Sequence, residues 1–166
     1  MRPSRHQTFM EVAYVMSKRA TCQRLSVGAV ITHKHRIVSC GWNGAPPGEP
    51  HCSGNDCPGK FGCQLTLHAE INAIRYIPSR RMTGLDLYIT DSPCEECLRY
   101  IEVDNRVSRI FFSTPYRLSD HLKTSKLQVY RITPSGYITD WKTGDAPELK
   151  NGEINIPLPW ESNQND

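Results

Sequence analysis

Leu67-His68-Ala69-Glu70-Ile71-Asn72-Ala73-Ile74-Arg75-Tyr76, then Leu85-Asp86-Leu87-Tyr88-Ile89-Thr90, then Ser92-Pro93-Cys94-Glu95-Glu96-Cys97 decide the fold. The first piece reads as a helix ended near Pro78, and the second alternates as a strand. The third opens another helix over Cys94 to Glu102, with Pro93 at a favourable first-turn position. Downstream, Ile110-Phe111-Phe112 and Leu127-Gln128-Val129-Tyr130 read as further strands. Upstream, Val27–Ile31 and Arg36–Cys40 read as two strands around a hairpin turn at His33-Lys34-His35. Before them, residues 8–19 place Phe9, Val12, Ala13 and Met16 at helical spacing. Helices and strands in this order predict an α/β sandwich, one mixed sheet with helices on its faces.

Between these elements, residues 41–62 hold ten of the 23 glycines and prolines, so a long irregular loop is expected there. Beyond Thr133 the periodicity fades. The sequence divides into a domain over 1–132 and a C-terminal extension over 133–166 holding at most a short hairpin or two.

A chain of 166 residues with 38% hydrophobic content is long enough for one domain with a real core. Its mean hydropathy is −0.51, and no apolar run approaches the roughly 18 to 20 residues of a membrane-spanning helix. Met1 to Gln7 carries no apolar stretch that could serve as a secretion signal, so a cytoplasmic location is expected, in a host cell if the source is a virus. Net charge is +3, but Asp140 onward carries −4, leaving +7 on the first 139 residues. A basic body of this kind suits an anionic ligand. Seven cysteines, an odd number without an export signal, favour metal binding or thiol chemistry over disulfides.

His68-Ala69-Glu70 and Pro93-Cys94-Glu95-Glu96-Cys97 carry the chemistry. One His and two Cys make a three-ligand set for zinc, and three protein ligands leave a fourth position open, as in catalytic sites. Both pieces lie at expected helix starts, where free N–H groups and the dipole favour thiolate. Glu70 is the nearby carboxylate that can carry protons. A spacing of two residues is about 200° around a helix, so His68 and Glu70 would not share a face of a regular one. Taken singly, Cys-x-x-Cys and His-x-Glu are weak signals; in this order they match the signature of zinc-dependent nucleobase deaminases.

On these motifs, together with Thr21-Cys22-Gln23-Arg24-Leu25-Ser26-Val27-Gly28-Ala29-Val30, Gly41-Trp42-Asn43-Gly44 and His68 to Ile74, the chain resembles the cytidine deaminase superfamily and, within it, the deoxycytidylate deaminases. Trp42 stands where that family usually has Tyr. The resemblance runs from about residue 8 to 131. It implies a three-layer α/β/α cytidine-deaminase-like sandwich with a central mixed five-stranded sheet. It also implies hydrolysis of dCMP to dUMP and ammonia, supplying dUMP for thymidylate synthesis. His68, Cys94 and Cys97 would hold Zn2+. Glu70 would take a proton from water, give one to N3 of cytosine and help ammonia leave, while backbone groups at Ala69 and Ser92 fix the pyrimidine edge.

Asn43 resembles the residue that holds the deoxyribose, or is a turn-forming Asn between glycines. Arg24 resembles the phosphate ligand, or is a surface charge. Tyr116 stacks on the base, touches the phosphate or simply packs. Arg75, Arg80 and Arg81 read as a solvated basic face with phosphate contact as the alternative. Some family members bind a second, structural zinc, for which Cys22, Cys52, Cys57 and Cys63 are the candidates here, with His51 competing; free thiols are the other reading. Cys40 reads as a core residue. The resemblance further implies activation by dCTP and inhibition by dTTP, with Mg2+ accompanying the triphosphate, in a homo-oligomer, a hexamer.

Two rivals share some of these features. A deaminase acting on tRNA or single-stranded DNA would use the same zinc chemistry, but aromatics total only 8% and no basic stripe interleaves with them, so nucleic acid is not the expected partner. A non-catalytic zinc module has no use for Glu70.

Overall fold

The computed structural model describes residues 2–53, 63, 65–117, 119–150 and 153–154. Helix α1 (Arg5–Ser17) starts before the stretch expected because Ser4 caps it, its Oγ accepting the Gln7 N–H at 3.1 Å. β1 (Gly28–His33) and β2 (Arg36–Trp42) form a hairpin. Lys34 and His35 both turn left-handed there (φ 47° and 63°), which suits the twist of the flanking strands. Then come α2 (Ala69–Arg75), β3 (Leu85–Asp91), α3 (Glu95–Asp104) and β4 (Val107–Thr114). A short 3-10 turn (Asp120–Thr124) leads into β5 (Gln128–Ile132).

The sheet runs β2-β1-β3-β4-β5-β6, so it has six strands and not the five expected. The added strand, β6 (Ile138–Asp140), pairs antiparallel with β5 and is only three residues long, too short to leave an alternating pattern in the sequence. β2, β1 and β3 are antiparallel neighbours; β3, β4 and β5 are parallel, with α3 crossing between β3 and β4. A small hairpin, β7 (Leu149–Lys150) with β8 (Glu153–Ile154), stands apart from this sheet.

Three layers result, as expected for the α/β class. On one face α2 and α3 cover Ala29, Ile31, Leu87, Ile89, Ile110, Phe112 and Val129. On the other, Phe9, Met10 and Ala13 of α1 meet Val30, Tyr88, Phe111 and Tyr130. Two glycines set how close the helices come. A Cβ on Gly28 would lie 2.0 Å from the Ala13 carbonyl oxygen of α1, and one on Gly41 would lie 2.5 Å from both the Ala69 carbonyl oxygen and the Ala73 nitrogen of α2. No helix among the described residues is long and apolar enough to cross a membrane.

Candidate active site

His68 and Cys94 are not the first residues of their helices; each is the N-cap, in extended backbone (φ −76°, ψ 150° and φ −70°, ψ 167°). The 200° objection therefore does not apply, because His68 lies outside the helix while Glu70 lies in its first turn. Pro93 likewise precedes the cap of α3 instead of occupying its first turn, a correction to the sequence reading. The approach to His68 is pinned by a two-way backbone bridge, Gly44 N–H to Leu67 C=O (3.1 Å) and Leu67 N–H to Gly44 C=O (2.9 Å). Asn72 adds a bond from its amide to the Trp42 carbonyl (3.0 Å). The Gly41–Gly44 and His68–Ile74 motifs are thus one structural unit.

His68 Nδ1 lies 3.1 Å from Cys97 Sγ and 3.7 Å from Cys94 Sγ. All three donor atoms fall within 4.8 Å of one another, the one such cluster of three among the described residues. Tetrahedral zinc has N···S edges of about 3.5 Å and S···S edges of about 3.8 Å, so the set fits zinc with small adjustment. Their protonation supports the same reading. A hydrogen bond from the Cys97 side chain, added to contacts with His68 and the Cys97 N–H, brings the Cys94 thiol down to about 4. The Cys97 thiol is pushed up by that same bond and by burial, so of the two sulfurs Cys94 is the thiolate and Cys97 holds the proton that a bound cation would displace.

Glu70 is buried, 3% exposed, and burial pushes its carboxyl above the usual range, partly offset by a backbone hydrogen bond and by His68. A carboxyl raised toward neutrality can both take and give a proton.

These four side chains open onto a cavity of about 1130 Å³, which Arg24, Asn43, Ala69, Ser92, Tyr116, Cys22 and Cys63 also line. Cys52 does not line it, and Cys57 lies outside the described residues. Arg24 is exposed at the rim. Asn43 is buried and its amide braces the preceding loop: Oδ1 accepts the Val27 N–H at 2.8 Å and Nδ2 donates to the Leu25 carbonyl at 2.7 Å. One lone pair and one N–H of that amide remain. Ser92 Oγ meets the Tyr116 N–H at 2.7 Å and Ser119 Oγ at 2.8 Å, and its own N–H goes to Thr114 C=O.

Among further lining residues that the sequence did not single out are Asp91, Arg117 and His121. Arg117 sits at φ 53° with its guanidinium carbon 5.0 Å from the Tyr116 ring centre. His121 Nε2 donates to the Pro93 carbonyl at 2.8 Å, just ahead of Cys94. Asp91 and Arg117 each adjoin a residue the sequence did pick out, and that adjacency was the available signal.

The description "cytidine and deoxycytidylate deaminase zinc-binding region" matches residues 3–114. The chain belongs to this family. Among its relatives, ComE operon protein 2 of Bacillus subtilis is 33% identical over 119 residues, 70% of this chain and 62% of that protein. The deoxycytidylate deaminase of Mycobacterium phage D29 is 33% identical over 60% of this chain and 88% of its own length, and the human deoxycytidylate deaminase 31% identical over 72% and 70%. The chain spans less than half of the two yeast deoxycytidylate deaminases, 45% and 41%. The dCMP deaminase of cyanophage S-TIM5, solved with dCMP and dUMP, superposes with a TM-score of 0.67 at 29% identity over 79% of this chain and 98% of its own. A tRNA:A34 deaminase shares the fold at 21% identity and a TM-score of 0.53.

Proposed function

We propose that this deaminase-family chain hydrolyses dCMP to dUMP and ammonia. The observation that carries the reading is a buried Glu70 beside a His68–Cys94–Cys97 set, at the floor of a cavity whose wall also bears Arg24 and Arg117. The names of the phage, yeast and human relatives support the choice of substrate. His68, Cys94 and Cys97 would hold zinc, which when bound would supply the Lewis acidity that makes water a nucleophile near neutral pH. The Ala69 N–H, one of the unpaired donors of the first turn of α2, and the Ser92 carbonyl fix the two edges of the pyrimidine. Glu70 takes a proton from the attacking water and gives it to N3, then takes the proton of the new C4 hydroxyl and passes it to the amine, which leaves C4 as ammonia while the C4 carbonyl forms. Arg24 and Arg117 neutralise the 5′-phosphate.

The reading extends to activation by dCTP and inhibition by dTTP with Mg2+, in a cytoplasmic homo-oligomer; kinship alone supports this extension, as it does a second zinc drawing on Cys22, Cys52, Cys57 and Cys63. The test is ultraviolet-monitored turnover of dCMP beside CMP, deoxycytidine and dCTP, with and without the two triphosphates. Selective loss of cytosine absorbance with dCMP is the expected result. Zinc-loaded protein that is inactive on every monomer yet deaminates tRNA or single-stranded DNA overturns it.

A further inference from the structure

Asp91 is the last residue of β3, in register with Thr114 at the end of β4, and it lines the cavity half-buried. Its orientation is set by a relay. The Gly28 N–H bonds Thr90 Oγ1 at 3.2 Å, and the Thr90 hydroxyl bonds Asp91 Oδ2 at 2.9 Å. The Thr90 hydroxyl, accepting on one side, is left to donate on the other, so the carboxylate is held by a group that is itself held. Oδ1 has no hydrogen-bond or ion-pair partner among the described residues. Burial raises the Asp91 carboxyl, and Thr90 alone eases it. A fixed, half-desolvated carboxylate with an unused oxygen is costly unless something supplies a donor.

The donor is not a protein cation: Arg24 and Arg117 line the same cavity, yet neither holds Asp91 down. It is not the phosphate, which a carboxylate repels. A cytidine nucleotide offers its C4 amine and its hydroxyls. The amine belongs at the reacting carbon, with Glu70 and the Ser92 carbonyl. A hydroxyl remains, and Asn43, expected to hold the sugar, keeps one N–H and one lone pair after bonding Leu25 and Val27, so a sugar hydroxyl that accepts from Asn43 still has its own proton to donate.

We propose that Asp91 is a specificity residue whose Oδ1 accepts a hydrogen bond from a hydroxyl of the bound pyrimidine nucleotide. This rests on the deaminase reading above. Two sources carry the same chemistry, the 3′-hydroxyl of the deoxyribose and a hydroxymethyl group on C5 of a modified base, and the experiment separates them. Wild type, Asp91→Asn and Asp91→Leu are assayed on dCMP, 2′,3′-dideoxy-CMP and 5-hydroxymethyl-dCMP, with thermal melting alongside.

If the sugar is read, Asp91→Leu loses about tenfold to a hundredfold in kcat/KM on dCMP, mainly through KM, and matches wild type on the dideoxy analogue. Wild type itself then shows the same loss on going from dCMP to the dideoxy analogue, a comparison independent of how the variants fold. If the base substituent is read, the loss is confined to 5-hydroxymethyl-dCMP. Asp91→Asn, which keeps an acceptor oxygen, loses less in either case. An equal change on all three substrates, or a wild type indifferent to both hydroxyls, overturns the proposal while leaving dCMP deamination standing. A wild type inactive on all three takes the deaminase reading down with it.

Discussion

The two faces of the sheet bury polar side chains to opposite ends. Under α1, Arg109 and Asp86 sit side by side on β4 and β3 in a two-pronged pair, both bonds 2.6 Å, 3% and 5% exposed. Next to them His6 meets the Tyr88 hydroxyl through Nδ1 (2.8 Å), and its Nε2 accepts the Ile154 N–H (3.4 Å). Tyr88, Phe111 and Tyr130 stack across three strands over the same ground. These bonds all run to other parts of the protein. Toward the cavity, by contrast, burial raises Glu70, Asp91 and Cys97 against ionisation, and perturbed groups gathered in a cleft are what chemistry can use. One set of buried charges is paired within the protein; the other faces the cavity.

The sharpest way to break that contrast is Glu70→Gln. Turnover of dCMP is expected to fall about a thousandfold or more, while zinc content by metal analysis and the melting temperature hold or rise, since the variant relieves a buried acid. Full activity would sink the assigned proton carrier. Next in size is Arg109→Met, which strands Asp86 and should cost about 3–5 kcal/mol in urea unfolding, with kcat/KM per folded molecule unchanged. Adding Asp86→Leu should recover most of the loss. If the double variant is no better than the single, the pair is not the closed unit described.

The smallest effect concerns pH. Burial, with Arg109 and neighbouring bases, lowers His6 to about 3, so the folded protein holds it neutral while the unfolded chain protonates it near 6.5. Its folded value lies below its unfolded one, so its contribution is complete above about pH 6.5 and is lost as pH falls toward 3. By pH 5 the loss is about 2 kcal/mol. His6→Asn should flatten this limb of the stability–pH curve, followed by denaturant midpoints between pH 4 and 7; an unchanged limb would place the acid sensitivity elsewhere.

Much of this could be read in the chain. The helices and the first five strands follow from periodicity and turn residues, and the His68, Cys94, Cys97 and Glu70 grouping from motif spacing. What stayed hidden depends on contacts between distant segments. The caps at His68 and Cys94 turned a helical-wheel objection into a workable geometry, because a cap is defined by where the chain enters and not by spacing. Alternation in β3 told which residues share a face, but not that Asp86 is buried against Arg109, 23 positions away. The sixth strand was too short to signal itself, though Trp141 just beyond it packs edge-on to Phe112 (5.0 Å) and donates from its indole to the Ser119 carbonyl. Asp91, Arg117 and His121 carry no motif; only the cavity gathers them.

Helix α2 is seven residues long, and its capping residue offers no side-chain bond. A segment of that length has almost no helical tendency alone in water. It is held by outside contacts, the Gly41 contact, the Gly44–Leu67 bridge and the Asn72 tether. In folding time, then, the part of the molecule that presents Glu70 is a late arrival: φ-values along α2 should be near zero while those at the β3–β4 pairing are high. The Glu70 carboxyl is then put in place by a frame that has formed without it.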